Sequence, residues 1–222
     1  MRNAAIEAAI LAAPDDPNAY QVYADWLQSH GDPRGELIML QQAMRANNDI
    51  EEFARFRKHE EVLRNEHATA WLGEAVASSL HRTYFEWRSG FVDAARIDAP
   101  PGDLVPRADG DATNPYAINR ATEPTLAALV TALLASPCGW LVRTFTLRGT
   151  LDELAPAIQP LPTAILRRVH LVIAGGSLDK AKHRLQWEIM RLLDANVDIE
   201  LTVDGANEKI PWKRPTPSKR RT

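Results

Sequence analysis

The sequence of 222 residues predicts an α+β protein, with an N-terminal helical module, a β-hairpin and then short strand–helix units with a small parallel sheet. Three observations support this fold class. Apolar residues recur at helical spacing through residues 4–80, and two β-rich runs then flank a loop that contains Gly90. Predicted strands centred near Thr144, His170 and Glu200 alternate with helices, which favours crossover connections and parallel pairing.

Residues 20–42, YQVYADWLQSHGDPRGELIMLQQ, are predicted to form two helices joined by a tight turn. Tyr20, Tyr23 and Leu27 share one helix face, and Trp26 lies beside that face and widens it. Gly31 follows the first helix, where a positive φ is common. The turn predicts an αα-hairpin.

The second helix of this hairpin has its own start signal. Asp32 is placed to cap it, and Pro33 suits its first position. A third long helix is predicted from residue 50, and a short amphipathic helix built on Ile6, Ile10 and Leu11 precedes the hairpin.

Several short runs resemble a known family. YADWL at residues 23–27 and GDPRGELIMLQ at 31–41 are followed by LRNEH at 63–67, AWLG at 70–73 and WRSGFV at 87–92. Together they resemble the repeat-companion domain found at the N-terminus of bacterial leucine-rich-repeat-like proteins, over residues 1–97. Trp26, Trp71 and Trp87 fall within these runs and are expected to be core residues. The resemblance implies a domain without catalytic activity that leads into repeats, and this chain has room for only two or three of them.

The second half of the chain is predicted to alternate helices and strands. The predicted helices cover residues 122–135, 151–158 and 180–194, and the strands cover 141–147, 165–173 and 197–203. Strand spacing near a leucine-rich repeat period favours degenerate leucine-rich-repeat-like units, although the asparagine ladder is missing. A compact α/β sheet is the alternative.

Composition changes divide the chain into four parts. These are a helical domain ending in the hairpin at 1–97, a proline- and glycine-rich linker at 98–121, a strand–helix region at 122–208, and a basic tail at 209–222. The tail has six lysines and arginines and no acid, whereas residues 1–208 have 20 basic and 29 acidic residues. The charge is therefore segregated between an acidic body and a basic end.

Composition also bounds the environment of the protein. A single cysteine, Cys138, excludes an internal disulfide framework and fits a reducing cytoplasm. No apolar run approaches the roughly 18 residues of a membrane span, so no membrane partner is expected. Glu7 interrupts the apolar N-terminal run, which favours a helix over a signal peptide.

The residues that often carry chemistry are not grouped as a catalytic or metal site requires. His59 and His67 lie eight residues apart on one predicted helix, a rise of about 12 Å, which is too far for one metal ion. Cys138 has no base nearby in the sequence and is predicted to be a small buried residue. We expect no catalytic, cofactor or metal site.

Two polar motifs have a functional and a structural interpretation. Residues 175–177, Gly-Gly-Ser, join a strand to a helix and could present N–H groups to an anion, but a tight turn with a serine cap is favoured. Asp25, Arg34 and Glu36 could form a partner surface. We favour an arginine paired with an acid and carboxylates that cap helix ends.

The predicted partner site is the basic tail. Trp212 lies in a proline-broken segment, where an exposed indole among cations could anchor a partner or stack on a base. Alternatively, Ile210 and Trp212 pack on the last strand. The predicted partner-binding residues are Trp212, Lys213, Arg214, Lys219, Arg220 and Arg221.

These patterns predict a non-catalytic protein–protein interaction module, an adaptor or subunit of a bacterial assembly, whose partner is another protein. Two alternatives stay open: nucleic-acid association through the basic tail, and an enzyme with an unrecognised site. Nucleic-acid binding would weaken steeply with salt, whereas an enzyme would show a deep pocket with perturbed titrating groups.

Overall fold

A computed structural model describes residues 2–100, 123–175, 178–204 and 210–211, and it confirms the α+β class. The first helices are α1 Ala4–Ala12, α2 Pro17–Ser29, α3 Arg34–Ala46, α4 Ile50–Leu72 and α5 Glu74–Ala77. The hairpin strands β1 Thr83–Arg88 and β2 Phe91–Asp98 follow, and then α6 Leu126–Ala135, β3 Thr144–Gly149, α7 Leu151–Ile158, β4 Arg168–Ile173, α8 Leu178–Arg184, α9 Gln186–Asp194, β5 Asp198–Val203 and β6 Ile210–Pro211.

The chain divides into two compact units. Unit 1 comprises the described residues of Met1–Ser78, Phe85–Ala94 and Ala132–Val142. Unit 2 comprises those of Ser79–Tyr84, Ala95–Thr131 and Arg143–Thr222. The division does not follow the four parts predicted from composition, because both units take residues from the hairpin and from α6.

The predicted αα-hairpin is confirmed in unit 1. Asp16 caps α2 by accepting a hydrogen bond from the Asn18 N–H at 3.0 Å. The helix ends in a Schellman motif, in which the Asp32 N–H donates to the Leu27 carbonyl at 2.9 Å and Gly31 has φ +70°. The positive φ predicted for Gly31 is therefore confirmed.

The β-hairpin is also confirmed, and its turn explains the residues at its tip. β1 and β2 are neighbours in the sheet and are joined by two residues, Ser89 with φ +49° and Gly90 with φ +79°. Positive φ at both positions is the type I′ turn, whose twist matches that of the strands it joins. A Cβ on Gly90 would lie 2.4 Å from Cγ1 of Ile38, so a larger residue does not fit without a shift.

In unit 2, parallel strands form the centre of the sheet. The described strands have the order β1-β2-β3-β4-β5-β6, with β3, β4 and β5 parallel and β6 antiparallel to β5. Val169, Leu171 and Ile173 of β4 are fully buried on one side, as their alternation predicts. The parallel strand–helix alternation is confirmed, while the leucine-rich-repeat-like character of these units stays a prediction.

Several predicted elements have different bounds in the structure, and the helix predicted over 122–135 begins at Leu126. The strand predicted from 141 begins at Thr144, because the Val142 N–H closes a turn onto the Gly139 carbonyl. The strand predicted from 165 begins at Arg168, after a turn at 163–165. The helix predicted over 180–194 is two helices, with Leu185 between them at φ −98° and ψ 7°.

The C-terminal boundary also differs from the prediction. β5 is not the last strand, since β6 pairs Ile210 with Leu201. Part of the predicted tail thus belongs to the sheet, because a two-residue segment supplies backbone hydrogen bonds to the outer edge of β5. Trp212 and the cations beyond it lie outside the described residues, as do most of the predicted linker and residues 176–177.

Two of the three tryptophans predicted to be core residues are only half-buried. Trp71 is buried, whereas Trp26 and Trp87 are not. Trp26 stacks on Tyr23 with a centroid distance of 5.9 Å, so its ring covers the outside of the core rather than filling it. Leu11, expected on the inner face of α1, is 44% exposed. Among the described helices, none is long and apolar enough to cross a membrane.

Candidate functional site

The GDPRGE motif forms a buried network in unit 1. Arg34 is 2% exposed, and its Nη2 donates to Oδ2 of Asp32 at 2.6 Å while its Nη1 donates to the Pro137 carbonyl at 3.2 Å. Oδ1 of Asp32 also accepts the Arg34 N–H at 3.0 Å, so its side chain bonds the first backbone N–H of α3. The helix begins at Arg34, with Pro33 rather than Asp32 at the N-cap position, one residue later than predicted. The motif therefore joins the start of α3 to the chain around residue 137, and its structural interpretation is confirmed for Arg34.

Charge and burial act in opposite directions on this network. Burial alone would raise the pKa of Asp32, but the hydrogen bonds from Arg34 hold that pKa below its usual value. Burial raises the pKa of Tyr23 to about 12, and its hydroxyl donates to Oε1 of Glu7 at 3.1 Å. The acids stay ionised and the phenol stays neutral near neutral pH, as fixed structural pairs require.

Cys138 is buried, and both its backbone N–H and its carbonyl are hydrogen-bonded. Its N–H donates to the Trp71 carbonyl at 3.2 Å, and its own carbonyl accepts from the Val92 N–H at 2.9 Å. Burial raises the pKa of the thiol to about 12. The thiol is therefore a poor nucleophile, and the prediction of a small buried residue is confirmed.

The histidines singled out in α4 are apart, and each has a local partner. His59 lies 3.3 Å from Glu36, with both side chains about half exposed, and His67 lies 5.1 Å from the Trp71 ring. Within the described residues, no group of three or more His, Cys, Asp or Glu side chains could hold a metal ion. Gly175 has φ +79°, which fits the predicted turn.

Unit 2 contains a shallow pocket of about 380 Å³ at the start of the hairpin. Its lining combines cations with a carboxylate, since Arg96 pairs with Asp98 at 3.2 Å. Arg82, also in the lining, is buried and donates to the Asp98 carbonyl at 2.9 Å. Glu123 lies 3.5 Å from Nε of Arg82 and 3.7 Å from Nε2 of His81, so each basic side chain of the lining has a carboxylate beside it. The lining residues are His81, Arg82, Thr83, Tyr84, Arg96 and Asp98.

The most unusual surface residue of unit 2 is Trp187 on α9, which is 82% exposed. Leu185, Ile189 and Leu192 are all fully buried and form the inner face of this helical segment. Trp187 is two residues from Leu185 and from Ile189, which places it about 200° around the helix from each. The indole therefore points away from the core of its own unit.

Two arginines flank this indole along the helix. Arg184 precedes Trp187 by three residues and Arg191 follows it by four, spacings that bring side chains to one face. The backbone ladder continues through the break at Leu185, because its N–H bonds the Ala181 carbonyl at 2.9 Å and its carbonyl accepts from Ile189 at 3.0 Å. The three side chains thus share one surface, which we call the Trp187 face.

The two arginines are held differently. Arg191 donates to the Ile158 carbonyl at 2.9 Å and to the Leu161 carbonyl at 3.1 Å, which fixes its guanidinium against the end of α7. Arg184 lies 3.8 Å from Asp152, in a pair whose side chains are 62% and 90% exposed. Such an exposed ion pair contributes little to stability, so a partner carboxylate can replace Asp152 at Arg184 with a small loss of free energy.

Two arginines supply the positive charge beside the indole of the Trp187 face. Over α8 and α9, residues 178–194, four lysines and arginines and one histidine stand against three acids, and Asp152 adds a fourth acid next to Arg184. The positive charge of this face is therefore local to Arg184 and Arg191. The chemistry of the face suits an anionic group next to an apolar one.

The sequence predicts a partner site in the tail, whereas the exposed indole of unit 2 belongs to Trp187. The signal was available, because the predicted inner stripe of Leu185, Ile189 and Leu192 leaves position 187 on the opposite side. Compared with known proteins, this chain matches no family model, no curated protein and no solved structure. The resemblance of residues 1–97 to the repeat-companion domain therefore stays a prediction.

Proposed function

We propose that this chain is a non-catalytic protein–protein interaction module, an adaptor or subunit of a bacterial cytoplasmic assembly. The observation that carries the proposal is the 82% exposure of Trp187 between two arginines on a folded helical face. Tryptophan and arginine are the residues most enriched among those that dominate binding at protein interfaces. The buried, unreactive Cys138 is consistent with a reducing compartment.

The free energy available at this position is large enough to matter. A tryptophan side chain buries about 150–250 Å² in an interface, and at roughly 25 cal/mol per Å² the exposed part is worth about 3–5 kcal/mol. Association costs remove much of that gain, so one anchor gives useful affinity only with flanking contacts. Arg184 and Arg191 stand at the spacing that supplies them.

The resemblance in the N-terminal part supports the same proposal. Repeat-companion domains accompany repeat regions, which are commonly binding surfaces. The GDPRGE motif has a structural role in unit 1, through Arg34, so the motif itself need not contact a partner. The binding surface is then sought on the strand–helix part of the chain.

Site-specific photo-crosslinking in the native host tests the proposal. A photoreactive phenylalanine derivative replaces Trp187 in one variant and Tyr84, a 62% exposed aromatic of the same unit, in the control. We expect a discrete protein adduct from position 187 that is absent from position 84 and is lost when Arg184→Glu is added. Equal labelling from both positions, or no adduct from position 187, would refute the proposed function.

A further inference from the structure

We propose that the Trp187 face binds an acidic protein segment in which an apolar or aromatic side chain lies next to carboxylates. This inference rests on the proposed function and names the chemistry of the partner. The juxtaposition that carries it is an indole 82% exposed, with Arg184 and Arg191 one helical turn away on either side.

The arginines select carboxylates. A guanidinium offers a planar fork of donors that matches a carboxylate in two parallel hydrogen bonds. Arg191 already uses Nη1 and Nη2 for carbonyls, which fixes its charge in place, whereas Arg184 makes a 3.8 Å contact with the exposed Asp152. Arg184 is thus the group free to rearrange onto a partner carboxylate, and Arg191 contributes a fixed positive field.

The indole selects an apolar neighbour on the same segment. Its surface is large and uncharged, and it gains free energy only when water is removed from both partners. Because the backbone around it is already bonded as helix, the segment is read by its side chains and not by strand addition. The predicted ligand therefore alternates acidic residues with leucine, phenylalanine or tryptophan.

The charge balance favours an acidic protein segment over a nucleic acid. The chain carries a net charge of −3, and residues 1–208 carry 20 basic against 29 acidic residues. A long polyanion would extend beyond Arg184 and Arg191 into the negative field of the acidic body and be repelled there. A short segment can stay within a Debye length, about 8–10 Å, of the two arginines. Single-strand binding also uses several stacked aromatics, and α8 and α9 have a single tryptophan.

The test uses the full chain and fluorescently labelled twelve-residue peptides. One peptide alternates glutamate with leucine and tryptophan, a second replaces its apolar residues with alanine, and a third replaces its acids with glutamine. A twelve-nucleotide thymidine oligomer is the nucleic-acid arm. Binding is followed by fluorescence polarisation at two salt concentrations, and circular dichroism verifies that every variant is folded.

Two variants probe the face, and each has a matched control. Trp187→Ala is compared with Tyr84→Ala, which removes another exposed aromatic of unit 2. Arg184→Glu is compared with Arg168→Glu, which changes the net charge equally at an exposed arginine on β4. We expect the first peptide to bind tightest, with a loss of about tenfold or more for each face variant and of no more than about twofold for each control.

Each other result overturns the inference in a distinct way. If Arg168→Glu weakens binding as much as Arg184→Glu, the attraction is only general charge. If the oligonucleotide binds more tightly than the peptides and depends on Trp187 and Arg184, the face is a nucleic-acid site. If no peptide binds while crosslinking at position 187 still captures a protein, the proposed function stands and the acidic chemistry is wrong.

Discussion

Replacing Asp32 by alanine should destabilise unit 1 more than its partial exposure suggests. The substitution removes three hydrogen bonds to the Arg34 guanidinium, at 3.1, 3.2 and 2.6 Å, and the cap on the Arg34 N–H at 3.0 Å. Arg34 is 2% exposed, so its charge stays buried, with the Pro137 carbonyl among its remaining acceptors. Removing one partner of a buried pair costs about 3–5 kcal/mol.

The magnitude is measured by urea denaturation followed by circular dichroism. Hydrogen exchange of the α2 and α3 amides should place the loss in unit 1. Glu36→Gln is the control, because Glu36 belongs to the same motif but is about half exposed and lies 3.3 Å from the equally exposed His59, so less than about 1 kcal/mol is expected. A loss below about 1 kcal/mol for Asp32→Ala would show that Arg34 finds water or another partner, and the buried-pair argument would be wrong.

Three further predictions use other parts of the molecule. Because the pKa of Asp32 is lowered in the folded state, its ionised carboxylate stabilises the fold fully above about pH 4, and this stabilisation is lost as the pH falls through the pKa of the folded state. Asp32→Ala should therefore flatten the dependence of the urea midpoint on pH between about 5 and 2. Gly90→Ala should lower the free energy of unfolding by about 2–4 kcal/mol, because it combines φ +79° with a Cβ 2.4 Å from Ile38. Gly31→Ala should lower it by about 1–2 kcal/mol, because nothing lies within 4 Å of its Cβ. Thermal melting of both variants should give that order. Cys138 should react with a thiol reagent far more slowly in the native protein than in urea, and rapid native labelling would contradict its burial.

Local signals explain why much of the fold could be predicted. Gly31 takes the positive φ that ends the first helix of the αα-hairpin, and Asp32 accepts the first N–H of the second helix. The two-residue loop of Ser89 and Gly90, both with positive φ, sets the β-hairpin. α7 begins after Thr150, whose N–H and hydroxyl both donate to Oε2 of Glu153 at 2.8 Å, and it ends at Ile158, two residues before Pro160. Each of these signals acts within a few residues of sequence.

The errors concern properties that depend on distant parts of the chain. β6 was missed because a two-residue strand has no periodicity and exists only through its register with β5. Trp26 and Trp87 were expected in the core because they lie in the family-like runs, yet their burial depends on how many elements pack over them. The role of Arg34 illustrates the same limit, since its acceptor on Pro137 lies 103 residues away.

The contrast between Arg34 and Trp187 shows how burial separates structure from function in this protein. An arginine is expected at the surface, and Arg34 is 2% exposed; a tryptophan is expected inside, and Trp187 is 82% exposed. Burying Arg34 is tolerated because its donors are hydrogen-bonded, and these bonds stabilise unit 1. The exposed indole of Trp187 does not stabilise unit 2 in this way, because Leu185, Ile189 and Leu192 already fill the inner face of that helix. The Trp187 indole is therefore available to a second molecule, and crosslinking from position 187 tests whether one binds there.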